Sequence, residues 1–457
     1  MNKLIEYLLS SKLTNFIKNP NLLLMLAVFN VTVLMNYHDM IWKRPIVIGI
    51  VFIMAGISFV NVRFWWAAIV TVAINFFLYL DKFPRLANHS NIELFVCAVF
   101  LGLLFWKNQK PNATIPPRLI SNLFRVSLVT IYFYTGFHKL NSDFFDPCVS
   151  CVNQINEQFF ENFTRVKITL PVAASVFFQY ATIFVEIILP FGLFWKQTRT
   201  LTAILLLGFH AYLGFTVFSD FQAFAIFMII GSTLDFEKKS PDPKIFKMFR
   251  IYIFTAMLVL FIKPFLFKFL RDSDLVNFIH GTIFNMGALV FFVVYFRNNA
   301  STESGLSRTY FAFPIATVIL ISCWSMKAYF GFGNSANLTM FSNLLTESSR
   351  SNHLLIDTKK TKITNWEEDN VLILKLHDTL KYTEKENFRL PMIEFRYLAN
   401  LYAKRYPKTA LNCTFVYKSD TITIPDLKKS EYVNTKWWYQ YMNFRKIQPE
   451  GPNKCLW

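Results

Sequence analysis

Apolar runs approaching the length of a membrane-crossing helix recur through the first three quarters of the chain, each bounded by charges or prolines. An α-helix needs about 20 apolar residues to cross a hydrocarbon layer about 30 Å thick. The runs are Asn21 to Asn36, Pro45 to Val60, Phe64 to Leu80, Ile92 to Trp106, Leu119 to Lys139, Leu170 to Trp195, Leu201 to Phe218, Phe221 to Leu234, Ile251 to Leu270, Gly281 to Phe296 and Tyr310 to Tyr329. A single soluble core does not account for so many. The expectation is an all-α polytopic membrane protein of about 9–11 transmembrane helices. The weakest divisions are Asn61-Val62-Arg63 and Ser219-Asp220, where neighbouring runs nearly touch. Composition agrees: 54% of the 457 residues are hydrophobic, 52 are phenylalanine, and the mean hydropathy is positive.

Beyond Gly333 charges become frequent and no run is long enough to span a bilayer. Asp369 to Leu376 reads as a strand, Leu390 to Tyr406 as an amphipathic helix stopped by Pro407, and Thr414 to Ile424 as a hairpin turning at Lys418-Ser419-Asp420. The expected organisation is a cytoplasmic interfacial segment over 1–20, a transmembrane helical domain over 21–332 and a small α+β soluble domain over 333–457. The first segment carries Lys3, Lys12 and Lys18 and no small-residue cleavage site, unlike a removed signal peptide.

The formal net charge of +18 raises the question of nucleic acid, but much of the Lys and Arg lies in short connections between apolar runs. That distribution suits an anionic cytoplasmic membrane surface and excludes nucleic acid as a partner. Lys107 to Arg118, Lys196 with Arg199, and Lys238 to Arg250 fall on one side, read as cytoplasmic. The protein is then a multi-pass inner-membrane protein, with the acidic loop of Asp143, Asp146, Glu157 and Glu161 and the soluble domain outside. Six cysteines are too few for a disulfide framework over this length. Cys148 and Cys151 form a C-x-x-C facing an oxidising compartment, as do Cys413 and Cys455. For Cys148 and Cys151 an ordinary structural bridge or two unpaired thiols is preferred to a redox relay, because no thioredoxin-like pattern surrounds them.

Ionisable residues inside apolar runs are costly, and they mark candidate sites. Lys139 closes its run beside His138, where partial desolvation favours a neutral amine able to act as a base or nucleophile; the plainer alternative is a lysine that snorkels to the interface. Arg125, Val129, Tyr132, Gly136 and Lys139 follow steps of four and three, which places them on one helical face. Gly136 admits a ligand or another helix to the backbone. Ser175, Gln179, Thr182 and Glu186 make a second polar face by the same steps. Glu186 needs a partner, and Lys139, Arg125 and His210 are on offer; an ion pair that only fixes helix register is the competing reading. His210 lies mid-run, where a lone histidine is usually a satisfied core residue. The three ionisable residues are expected around one cavity. No cluster has metal-ligand spacing, so no protein-bound metal is expected.

Two stretches carry a resemblance to a known family. Tyr134-Thr-Gly-Phe-His-Lys-Leu-Asn-Ser-Asp-Phe-Phe145, and Leu207-Gly-Phe-His-Ala-Tyr212 with Phe224 to Ile229, resemble the HTTM family. This is the transmembrane domain shared by vitamin K-dependent γ-glutamyl carboxylase and many bacterial membrane proteins. The resemblance covers roughly Asn15 to Phe296, and the segments after Gly333 look more like the bacterial branch. It implies a lyase/oxygenase-type chemistry with reduced vitamin K or another membrane quinol as cofactor. Lys139 would be the base, and His210 and His138 would hold catalytic positions. Arg125, Tyr132, Gly136, Gln179 and Glu186 are the candidate pocket residues. A protein or peptide substrate would come from the outer face. The alternatives are a non-catalytic interaction or immunity-type membrane protein and a proton-coupled transporter.

Overall fold

The computed structural model describes residues 45–60, 64–109, 117–214, 222–234, 311–377, 387–452 and 455, with isolated helical positions between 22 and 29 and between 244 and 262. The N-terminal segment 1–20 and most of the runs Asn21 to Asn36, Ile251 to Leu270 and Gly281 to Phe296 lie outside the described residues. The described residues of the other apolar runs are largely helical. The helices are α1 (Pro45–Val60), α2 (Trp65–Leu80), α3 (Asn88–Gln109), α4 (Pro117–Phe137), the single turn α5 (Ser142–Phe145), α6 (Cys151–Thr164), α7 (Val172–Ile183), α8 (Lys196–Gly214), α9 (Gln222–Thr233) and α10 (Ala312–Met326). Among the described residues two stretches, Asn88–Lys107 and Val172–Leu193, are long and apolar enough to cross a membrane, and Ile46–Ser58, Trp65–Leu80, Phe224–Thr233 and Ala312–Met326 are shorter apolar helices.

Helix α4 is the axis of this bundle. It packs against α9, α10 and the turn that follows α7. Proline suits its first position, where no intrahelical partner for an N–H exists. The face read from sequence is the buried one: Arg125, Val129, Tyr132, Gly136 and Lys139 are all buried. The run Leu170 to Trp195, expected as one span, is broken. Pro190 has no N–H and crowds the carbonyl four residues before it, which belongs to Glu186. There α7 gives way to a π-helical turn, Phe184–Ile188, and then a 3-10 turn, Leu189–Leu193. The loop after Lys139, read from its charges as irregular, holds the amphipathic helix α6.

In the C-terminal part, after the single turn α11 (Thr358–Thr361), the strands are β1 (Asn370–Leu376), β2 (Phe388–Pro391), β3 (Cys413–Tyr417) and β4 (Asp420–Ile424). They form an antiparallel sheet in the order β2-β1-β3-β4. Lys418 and Ser419 both take positive φ, as the tight β3–β4 hairpin turn requires. Helix α12 (Met392–Arg405) covers the sheet, and Phe395, Phe415 and Tyr432 meet ring to ring in a core separate from that of the bundle. The fold is thus mostly helical with one small antiparallel sheet.

The division expected at Gly333 is not a clean linker. Residues 334–354 are woven into one end of the bundle by side-chain amides that satisfy buried backbone groups. Asn88 Oδ1 accepts from the Leu338 N–H at 2.7 Å, and Asn141 Nδ2 donates to the Ser342 carbonyl at 2.6 Å. Asn343 accepts from the Cys151 N–H at 2.8 Å and donates to the Val149 carbonyl at 3.0 Å. Leu338 and Phe341 sit at positive φ within this weave, a conformation costing roughly 1–3 kcal/mol each that only such over-determination maintains. A disulfide fastens the same end. Cys151 bonds to Cys455, and Cys148 is an exposed free thiol, so the Cys148–Cys151 bridge considered from spacing is not formed. The correct partner lies 304 residues away, where local spacing carries no information.

Candidate functional site

Lys139 follows α4 by one turn, its N–H bonded to the Gly136 carbonyl at 3.0 Å. The chain then turns sharply because Asn141 caps the next helix, accepting from the Phe144 N–H at 2.9 Å. This turn holds the Lys139 side chain inward, only 4% exposed. Its ammonium nitrogen lies 2.8 and 3.1 Å from the two carboxylate oxygens of Glu186. Further contacts go to the carbonyls of Thr135, at 3.3 Å, and Met340, at 3.4 Å. Of the three partners the sequence offered Glu186, Lys139 is the one taken. The π turn matters here: it ends the regular register of α7 just where Glu186 must face α4, and π turns are frequent at functional sites.

Two turns below, the Tyr132 hydroxyl is hydrogen-bonded to His210 Nε2, with the two rings edge to face. These four residues share one cavity of about 110 Å³. Its remaining wall is mostly apolar, including Ile92, Leu128, Phe209, Phe224 and Met228, and it is closed by Leu338, Met340 and Phe341 from the woven segment. Lys139, Glu186 and His210 are therefore brought around one pocket, as three ionisable residues on consecutive apolar runs suggested. The chamber thus sets two polar pairs, Lys139–Glu186 and Tyr132–His210, among largely apolar walls.

The other candidates stand outside it. Arg125 is two turns from Tyr132, its Nε donating to the Ser232 carbonyl at 2.6 Å. Gln179 is buried but does not line the cavity. His138 points to the α10 side, its Nδ1 paired at 2.7 Å with the Tyr329 hydroxyl, and stacks among Tyr134, Phe137 and Tyr329. Gly136 serves a helix and not a ligand: a Cβ there would lie 2.5 Å from Ile187 Cγ1 and 3.0 Å from Glu186 Cβ. Sequence reading missed Leu338, Met340 and Phe341. Their only local signal is the dense Asn and Ser content from Asn334 to Asn343, typical of backbone-bonding segments. Among the described residues no group of three or more His, Cys, Asp or Glu could hold a metal ion.

Comparison with family models, with curated proteins and with solved structures gives no match to this chain.

Proposed function

We propose that the chain is a multi-pass inner-membrane protein that binds a lipid-soluble hydroquinone at Lys139 and removes its hydroxyl proton, in the manner of the vitamin K-dependent carboxylases it resembles. The observation that carries this reading is the Lys139–Glu186 pair facing a mostly apolar chamber together with the Tyr132–His210 pair. Support for the membrane comes from the stretch Val172–Leu193, whose length suffices for a span and which exposes Phe177, Tyr180, Phe184 and Ile188. Apolar rings along a long helix need an apolar neighbour, and lipid is the neighbour that suits all of them. Lys107 at the end of α3 and Arg118 at the start of α4, away from Lys139, favour an N-terminus in the cytoplasm and a C-terminal part outside.

The residues suit the proposed ligand on a structural ground: an amphipathic ring needs polar partners set among apolar walls, and the chamber supplies both. A second, mostly apolar chamber of about 100 Å³ shares Ile92 and Met228 with the first and offers room for a hydrocarbon side chain. When bound, a reduced quinone supplies, on reaction with dioxygen, a base strong enough to take a proton from a weakly acidic carbon destined for carboxylation. Lys139 and Glu186 act as one unit in accepting the hydroxyl proton. Whichever of them receives it, a positive ammonium would be retained in the same low-dielectric chamber as the charge left behind, where it counts most. Tyr132 and His210 hold the second polar position and orient the ring. Leu338, Met340 and Phe341 exclude water from the base.

The competing reading is a non-catalytic protein in which the ion pair fastens α4 to the turn after α7, favoured by the close approach at Gly136. Purification followed by mass spectrometry of extracted lipid, then assay of epoxide formation with added hydroquinone, separates the two. Bound quinone with turnover supports the enzyme. Neither, in a well-folded preparation, leaves the fastening role.

A further inference from the structure

Three places in the C-terminal part carry large apolar side chains into the open, and each is tied to the same end of the helical bundle. Leu354 and Leu355 are 59% and 70% exposed, and the Leu354 N–H donates to the Leu140 carbonyl just past α4 at 2.9 Å. Ile363 is 71% exposed, and its N–H donates to the Phe330 carbonyl just past α10 at 3.1 Å. Trp437 is 77% exposed and meets Tyr441 edge to face at 6.0 Å. The turn between them is held by Arg85, from the α2–α3 connection, which donates to the carbonyls of Gln440 at 3.2 Å and Met442 at 2.7 Å.

The ends of α4 and α10 and the α2–α3 connection fix a common level, because His138 joins the first two through Tyr329 and the 336–338 strip joins the third. None of these side chains is needed by the sheet core, which closes on Phe395, Phe415 and Tyr432. An exposed Trp–Tyr pair and three exposed aliphatic side chains, each on a segment bonded to residues just beyond helix ends, match the chemistry of the bilayer interface, where amphipathic rings prefer to sit. The exposed lysines beside them, Lys359, Lys360 and Lys436, are placed to meet anionic head groups.

We propose that Leu354, Leu355, Ile363, Trp437 and Tyr441 form a lipid-facing collar that seats the C-terminal part in the head-group layer of an anionic bilayer, directly over the mouth of the Lys139 cavity. The collar rests on the membrane reading above and adds a surface to it. It keeps segment 338–341, which closes the cavity, at the depth where a lipid-soluble ligand arrives.

The test uses the full chain in vesicles of phosphatidylcholine and phosphatidylglycerol, with phosphatidylcholine brominated either near the carbonyl or deep in the acyl chain. Trp437→Phe and Trp66→Phe are each compared with the parent protein, so that difference spectra isolate the two indoles. Trp66 is exposed on α2 and reports the membrane reading itself. The expected result is quenching of both, with Trp437 quenched more by the shallow bromine. Quenching of Trp66 with none of Trp437 overturns the collar and leaves the membrane reading standing. Quenching of neither overturns both. A Trp437 open to aqueous iodide in vesicles but shielded in native membranes also overturns the collar, and assigns the patch to a protein partner.

Discussion

At the scale of single residues, the Lys139–Glu186 pair separates chemistry from architecture. Removing one partner strands a buried charge, which typically costs about 3–5 kcal/mol, whereas replacing both with apolar residues of similar volume is often neutral. Glu186→Gln alone should therefore lower the melting temperature, and the double variant Lys139→Met/Glu186→Met should restore it. Quinol-dependent turnover should fall by roughly 10²–10⁴-fold in both, the usual contribution of a positioned acid–base group. Turnover at the parent rate in the double variant would remove Lys139 from the mechanism. A second prediction concerns Glu367, buried in the C-terminal part between Lys362 and Thr346 and facing Glu347 and Arg445. Burial, then the Glu347 charge, push its carboxyl up from 4.5 to about 7, against the pull of Lys362 and Arg445. The folded state thus keeps a proton that the unfolded chain releases. Its stabilising contribution is complete below pH 4.5 and is lost as pH rises through about 7. Unfolding midpoints measured across that window should fall with pH in the parent protein, and the slope should flatten in Glu367→Gln. An unchanged slope would place the titrating group elsewhere.

At the scale of elements, the apolar runs were legible as helices because they differ from loops in composition alone, and the buried face of α4 was legible because a helix repeats its face every three to four residues. The same reasoning failed at α7. A π turn changes the register by a fraction of a turn, which leaves hydropathy untouched; Pro190, four residues after Glu186, was the available sign. Strand β2 was missed because it is four residues long, and α6 because its acidic residues were read as a loop signal. The contact between α4 and the turn after α7 gives the third prediction. Gly136→Ala puts a methyl group against Ile187 and the backbone of that turn, where little can yield. Overpacking of this kind costs typically 1–3 kcal/mol. The variant should melt earlier and lose ligand affinity, since Glu186 is displaced with the turn. Gly208→Ala, whose Cβ meets nothing within 4 Å, is the matched control and should change neither.

At the scale of the whole molecule, the relation between bundle and C-terminal part was the least legible feature, because the contacts that set it join residues about 200–300 positions apart and follow from packing, not pattern. Arg85 shows why. Its guanidinium forks onto both oxygens of Glu394 at 2.6 and 2.9 Å and lies 3.5 Å above the Tyr397 ring, yet in sequence it is one basic residue in a short connection. These contacts, the Cys151–Cys455 bond and the woven segment 334–354 bring the two parts to one end of the bundle. The Cys148 loop and the sheet must then face the same compartment, whichever that is. The fourth prediction follows in intact cells with a maleimide that cannot cross the membrane. Cys148, a natural exposed thiol, and a cysteine introduced at the exposed Thr421 of strand β4 should label together, with Cys148→Ser supplying the background. Labelling of both without lysis places them outside, in agreement with Lys107 and Arg118 at the opposite end of α4. Labelling of both only after lysis would invert the topology but keep the architecture. Labelling of one without the other would break the architecture itself, because a sheet on the far side of the membrane could reach neither Arg85 nor the mouth of the Lys139 cavity.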